Sequence, residues 1–320
     1  MQVNGAIEVE GLTRSFKGQL AVDHLDLEVQ RGDVFGLLGP NGAGKTTTIR
    51  MLTTLLAPTA GTARLCGFDI RQAPDQVRRH IGYVMQSVPW QVNRQLTGRE
   101  QLEVEASLYH VPRPQRRART EEVLELVGLT AYADRLIDEY SGGMHKRLDL
   151  ACGLLHRPEV LILDEPTLGL DVQSRHRVWD YINRLGSEGV AILLATNYLD
   201  EADRLCNRLT IIDRGRVVAA GSPADLKRTV GADVIQVTSS STDGLSDAIA
   251  AQPWVKKIVV TDAENLHVYV DDAAVALPAL IRLSLDGGLA LERVTYSQPT
   301  LDDVFLLHTG RELRDQEMSA

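Results

Sequence analysis

The chain has 320 residues, 44% of them apolar, and a net charge of -9. That is enough apolar sequence for two ordinary domains, and the acidic balance, with no dense Lys/Arg cluster, excludes a nucleic-acid footprint. Three widely spaced cysteines, Cys66, Cys152 and Cys206, offer neither paired metal-ligand spacing nor a disulfide framework, and suit a reducing cytosolic setting. No N-terminal stretch resembles a signal peptide. No apolar run approaches the roughly 20 residues that span a bilayer. The expectation is a soluble protein, or one held at a membrane by a partner.

Ala6–Glu10 and Leu25–Val29 alternate apolar and polar residues and predict half-exposed antiparallel strands. Val34–Leu38, Val160–Leu163 and Val190–Leu194 are apolar throughout, as strands covered on both faces should be. Between the first of these and a helical pattern lies Gly39-Pro40-Asn41-Gly42-Ala43-Gly44-Lys45-Thr46. That is the context a G-x-x-x-x-G-K-[ST] phosphate-binding loop requires. Its glycines let backbone N–H groups turn toward phosphate oxygens, and the following helix adds its positive dipole end. Lys45 is suited to the β- and γ-phosphates of ATP and Thr46 to Mg²⁺. Thr47 carries the loop into the helix.

From about Thr97 to Glu139 the strand signals stop. Thr97-Gly-Arg-Glu100 is a capping box, with helix to Tyr109, and Gln115–Val127 predicts a second helix ended by Gly128. This block, about 96–140, is expected as a helical insert. Ser141 then caps a helix that shows an apolar stripe at Met144, Leu148, Cys152 and Leu155. Gly142 and Gly143 leave its first amides bare for an anion, although a plain capped helix would use the same residues. Asp164 and Glu165 end an apolar strand at the carboxyl edge, where open α/β sheets place ligands. Asp164 is expected to hold Mg²⁺, and Glu165 to orient or deprotonate the attacking water.

Arg208–Asp213 and Arg216–Ala219 predict a hairpin around Gly215, and Ser222-Pro223 starts a short helix. Beyond it the pattern is β-α-β-β-α-β, with strands at Asp233–Thr238, Val255–Thr261, Leu266–Val270 and Leu289–Tyr296. The expected fold is α/β: a P-loop NTPase core with a mainly parallel sheet, antiparallel strands and a helical insert, plus a C-terminal α+β ferredoxin-like domain. The expected domains are 1–221 for nucleotide binding, 222–231 as a linker helix, 232–309 as an accessory domain and 310–320 as a tail. His267 alternates with apolar neighbours and is expected to face solvent.

The order of these motifs resembles the ATP-binding subunits of ABC transporters over about residues 6–220. Gly39–Thr46 is similar to the Walker A loop, Val160–Glu165 to the Walker B strand and Tyr140–Met144 to the family signature, with Tyr where Leu is commonest and Met where Gln is commonest. Gln86, after Ile81–Met85, resembles the Q-loop glutamine that contacts Mg²⁺ and water, and Leu168–Asp171 resembles the D-loop. Phe16 stands where the family sets an aromatic against adenine, although a lone Phe there would also serve as core. The resemblance implies a head-to-tail homodimer in which Ser141–Gly143 of one subunit bind the ATP held by the other. It also implies a separate transmembrane permease and a place on the cytoplasmic face of the membrane.

Where the family usually has a histidine, this chain has Asn197, in Thr196-Asn197-Tyr198. Asn can hydrogen-bond a γ-phosphate but cannot become cationic, so a modest turnover is expected. Capping the helix at Leu199 is the other use of Asn197. Gln298–Phe305 with Thr309–Arg311 resembles the tail of drug exporters of the daunorubicin-resistance type. Pro89-Trp90, beyond Gln86, lies where the family meets its permease, and a buried Trp is the alternative there. An ATP-driven clamp not coupled to transport, or an ATP-binding regulator, stays open at this point. The accessory domain is expected to dimerise or regulate.

Overall fold

A computed structural model describes residues 5–86, 95–240, 244–287 and 291–309. Pro89, Trp90 and the tail 310–320 lie outside the described residues. The chain divides into two compact units, Met1–Val217 and Val218–Ala320.

The first unit opens with a long hairpin, β1 (Gly5–Phe16) and β2 (Gln19–Gln30). Its two-residue turn, Lys17-Gly18, has φ of 49° and 86°, the left-handed pair that matches strand twist. β3 (Val34–Leu38) and α1 (Lys45–Leu52) follow, then β4 (Ala60–Leu65), β5 (Phe68–Asp69), α2 (Pro74–His80) and β6 (Ile81–Val84). β2-β1-β4-β5 form one antiparallel sheet. Sequence reading predicted only part of it: β4 carries two alanines, a glycine and a threonine, too little apolar alternation to register.

Helices α3 (Gly98–Leu108) and α4 (Arg113–Leu126) form the insert and pack on α5 (Gly142–Leu154). The capping box is present in both directions: Glu100 N donates to Thr97 Oγ1, and Thr97 N to Glu100 Oε2 at 2.8 Å. The remaining elements are β7 (Val160–Asp164), α6 (Val172–Ser187), β8 (Ala191–Thr196), α7 (Leu199–Leu205), β9 (Arg208–Asp213) and β10 (Arg216–Gly221). The second sheet runs β10-β9-β3-β8-β7-β6, parallel from β9 to β6. β3, β7 and β8 are buried along their whole length, which explains their unbroken apolar sequence. The main core joins both sheets: Ile7, Leu25 and Val29 pack with Phe35, Leu37, Ile162 and Leu193, and with Ile49, Met51 and Leu52 of α1.

In the second unit, α8 (Pro223–Val230) precedes β11 (Asp233–Thr238), α9 (Leu245–Ala250), β12 (Val255–Val260), β13 (Asn265–Val270), α10 (Ala273–Gly287), β14 (Arg293–Ser297) and α11 (Leu301–Thr309). The sheet order is β12-β13-β11-β14, all antiparallel, with the first and third strands central, as the split β-α-β design requires. One face, with Ile235, Val237, Leu266 and Val268, packs on Leu245, Ile249, Ala276 and Leu280. α8 packs on α11.

The expectation for His267 is corrected. Its side chain is only 16% exposed, and Nδ1 lies 3.3 Å from Asp303 Oδ1. Tyr269, two residues along the same face, donates its hydroxyl to that oxygen at 3.4 Å. Asp303 Oδ2 also accepts from Thr300 N and Oγ1, at 2.9 and 2.7 Å, and Asp303 N donates to Thr300 Oγ1 at 3.3 Å, so Thr300 caps α11 with Asp303 as its reciprocal partner. A helix covers this face of the sheet, so its polar residues point into a contact rather than into water.

Candidate active site

Four parallel strands end side by side. The register pairs Leu38 with Thr196, Asp164 with Ala195 and Val84 with Leu163. The loops leaving β3, β8, β7 and β6 therefore emerge along one edge, starting at Gly39, Asn197, Glu165 and Met85. This register brings residues from distant parts of the sequence to one cavity of about 360 Å³. It is lined by Pro40, Asn41, Gly42, Gly44, Lys45, Thr46, Thr47, Gln86 and Glu165, with Ala21 of β2 as a further wall.

Gly44 sits at φ 111°, and a Cβ there would stand 2.5 Å from the Ala21 carbonyl oxygen. Gly215, in the β9–β10 turn at φ 81°, leans on the same carbonyl, where a Cβ would stand 2.9 Å away. Its N–H donates to Ala43 O and its carbonyl accepts from Asp23 N, at 2.9 and 2.8 Å. Gly39 and Ala43 support the loop without lining the cavity: a Cβ on Gly39 would come within 2.2 Å of the Ile212 carbonyl oxygen, and Ala43 is buried.

Lys45 is buried and donates to the loop's own carbonyls, Gly39 O at 2.6 Å and Pro40 O at 3.2 Å. Its Nζ lies 3.8 Å from Glu165 Oε1. Burial pulls the ammonium pKa down, against the opposing pull of Glu165 and Asp164. Burial pushes both carboxyls up. Thr46, through a hydrogen bond, and Lys45 oppose this at Asp164, while Lys45 and the Gln86 amide oppose it at Glu165. Gln86 Nε2 donates to Glu165 Oε2 at 2.9 Å. Glu165 itself sits at φ 49°, in the left-handed region that a Cβ disfavours, with its N–H donating to Ala195 O at 2.9 Å. This chemistry is a phosphate cradle, a cation and a buried carboxylate of raised basicity.

The other expected residues do not line this cavity. Ser141 caps α5, accepting from Met144 N at 3.3 Å, and is exposed with Gly142. A Cβ on Gly142 would meet nothing within 4 Å, while one on Gly143 would meet Ser174 Oγ at 3.1 Å. Asp171 caps α6, accepting from Ser174 N and Oγ at 2.9 and 2.7 Å. Phe16 is 45% exposed, with the Arg14 guanidinium 4.6 Å above its ring, so the core reading of Phe16 does not hold. Asn197 follows Thr196, but the N-cap of α7 is Tyr198, with no side-chain capping bond. Asn197 stands one residue before that N-cap. Sequence reasoning missed Ala21 and Gly215, whose roles arise only when β2 and the β9–β10 turn close on the loop. Gly215 carried a signal as a turn glycine, whereas Ala21 carried none.

The ABC transporter family profile matches residues 22–168. The C-terminal domain of DrrA1-3-like ATP-binding proteins matches residues 221–309. The daunorubicin resistance ATP-binding protein DrrA3 of Streptomyces coeruleorubidus is 42% identical over 312 residues, 98% of each chain.

The chain belongs to the ABC transporter ATP-binding family.

It is an ATPase subunit of the drug-resistance and export type. The Nod factor export ATP-binding protein I of Paraburkholderia xenovorans is 41% identical over 311 residues, 97% of this chain and 99% of that one. A solved ATP-binding subunit of an ABC transporter is 30% identical, with a TM-score of 0.64, covering 70% of this chain and 92% of its own. Among the described residues no helix is long and apolar enough to cross a membrane.

Proposed function

We propose that this ATPase energises export of a lipophilic drug or antibiotic through a separate permease, by ATP-driven closure of a homodimer. The observation that carries the reading is the divided site. The phosphate loop, Gln86 and Glu165 share one cavity, whereas Ser141–Gly143 lie outside it, with Ser141 and Gly142 exposed and Gly143 half-buried. Their amides suit the γ-phosphate of ATP held by a second copy, with Asp171 close by through Ser174. ATP then favours the closed pair and hydrolysis releases it, a ligand with different contacts in two states. The names of the relatives, drug resistance and Nod factor export, support an exporter. The permease contact would hold the chain at the cytoplasmic face.

In the reaction, N–H groups of Asn41, Gly42 and Gly44 to Thr47 and the Lys45 ammonium hold the phosphates, and Phe16 offers a face to adenine. A water held by Gln86 attacks the γ-phosphorus in line and Glu165 takes its proton. The bond from the γ-phosphorus to the bridging oxygen breaks, leaving ADP and phosphate. Asn197 donates a hydrogen bond to the γ-phosphate without adding charge, which sets a modest rate. The donors present fit Mg²⁺: Asp164 Oδ1 is buried without a hydrogen-bond partner among the described residues, and Thr46 bonds the same side chain. Thr46, Gln86 and Asp164 would hold the ion, which when bound neutralises phosphate charge.

The test is co-purification with the permease, followed by ATPase assays with candidate lipophilic compounds. Stimulation by a compound that the permease binds is expected. No stimulation by any permease-bound compound would remove the transport reading.

A further inference from the structure

Lys146 lies one turn into α5, on the helix whose first residues carry those amides. Its Nζ reaches across to the segment that leaves β6 and donates to Met85 O at 3.1 Å and to Gln86 O at 2.5 Å. The ladder of β6 stops at Val84, so these two carbonyls lie just beyond its last pair. A lysine suits them because one ammonium carries three donors on a long stem. From there the path is continuous. The Gln86 side chain donates to Glu165, and Glu165 Oε1 lies 3.8 Å from Lys45. A side chain of α5 thus fixes the backbone that carries the Gln86 amide bonded to Glu165 Oε2.

We propose that Lys146 is a positioning residue for hydrolysis: it sets the height of the Gln86 backbone and thereby aligns Glu165. The proposal deepens the divided-site reading and rests on it for one part. If Ser141–Gly143 grip the ATP of the opposite subunit, any turn of α5 toward that ATP pulls Met85 and Gln86 through Lys146. Occupancy of one site then changes turnover at the other. The coupling element is a packed helix plus two hydrogen bonds, a physical connection of the kind that carries such effects.

The test uses the full chain with K146M, which keeps the stem and removes the donors, and K146R, which restores them. Each is also made with E165Q to slow hydrolysis. K146M is expected to lower kcat about tenfold or more with KM for ATP within about twofold, and to bring the Hill coefficient toward 1. K146R should recover kcat to within about threefold of the parent. The thermal midpoints of the two variants should match. With E165Q, both should still form dimers with ATP by size-exclusion chromatography. Unchanged kcat in K146M, or equal impairment in K146R, would overturn the positioning role, since mere packing would account for either. No ATP-dependent dimer in the E165Q parent would instead remove the divided-site reading and the coupling between sites, while a kcat loss rescued by arginine would keep the role within one subunit.

Discussion

Gly98 opens α3 directly beneath the hydroxyl of Tyr140, the residue that leads into Ser141. A Cβ on Gly98 would stand 2.1 Å from Tyr140 Oη and 3.1 Å from Cζ. The ring cannot easily retreat, because Tyr140 is buried and its hydroxyl donates to Tyr132 O at 2.9 Å. Gly98→Ala therefore forces a shift of about 1 Å, at a cost of about 1–3 kcal/mol for overpacking. The lost hydrogen bond adds about 1 kcal/mol. Alanine's better helix propensity returns less than about 1 kcal/mol, so the net loss is about 1–4 kcal/mol, centred near about 2–3 kcal/mol. Tyr140→Phe alone should cost about 1 kcal/mol, because Tyr132 is exposed and its carbonyl can turn to water. In the double variant the hydroxyl is gone and the contact at Cζ needs only a few tenths of an ångström of relief. The pair should then cost little more than Tyr140→Phe, a coupling of about 2 kcal/mol. Urea unfolding followed by circular dichroism, with all four proteins fitted to one m-value, measures it. Losses that add to within about 0.5 kcal/mol would refute the clash.

Asn197→His should raise the ATPase rate about tenfold by supplying a donor able to carry charge; steady-state phosphate release reads it, and no gain would count against the modest-turnover argument. Asp149, on the buried side of α5, has an oxygen without a partner among the described residues, and burial pushes its pKa up to about 7. Its folded-state pKa exceeds the unfolded value near 4, so the folded protein binds the extra proton and this group's penalty grows as pH rises from about 4 to 7, then levels. Asp149→Asn should therefore be the more stable protein at pH 8, by on the order of 1–3 kcal/mol, and the gap should close near pH 4; a gap independent of pH would contradict this. Asp303→Ala removes the side-chain half of the reciprocal bonding with Thr300, the N-cap of α11, together with the contacts to His267 and Tyr269, and should cost about 2–3 kcal/mol. Faster amide exchange across α11 and β13, but not across β3, would report it.

Strands whose burial is complete announced themselves, as Val34–Leu38 and Val160–Leu163 show. Their environment is uniform, so periodicity is not needed. β4 and β6 did not, because their assignment depends on a partner. Gly61 fits β4 only through close approach to Gly11, whose carbonyl oxygen would be 2.1 Å from an added Cβ. The phosphate loop and the two carboxylates were legible because local spacing fixes their geometry. The Lys146 clamp was not, since nothing in a helical Lys says which carbonyl it will reach. His267 misled for a related reason: alternation assigns a residue to a face of a sheet and cannot say what covers that face.

Gly215 does not line the cavity, yet it presses the β9–β10 turn onto Ala21 and bonds the loop at Ala43. In a saturation screen for ATPase activity it should score like a residue of the phosphate loop itself. Read without coordinates, such a score would suggest a ligand contact or a regulatory surface. Its intolerance would be that of a wedge holding two walls of a socket together, and any larger side chain there would be rejected for shape before chemistry was tested.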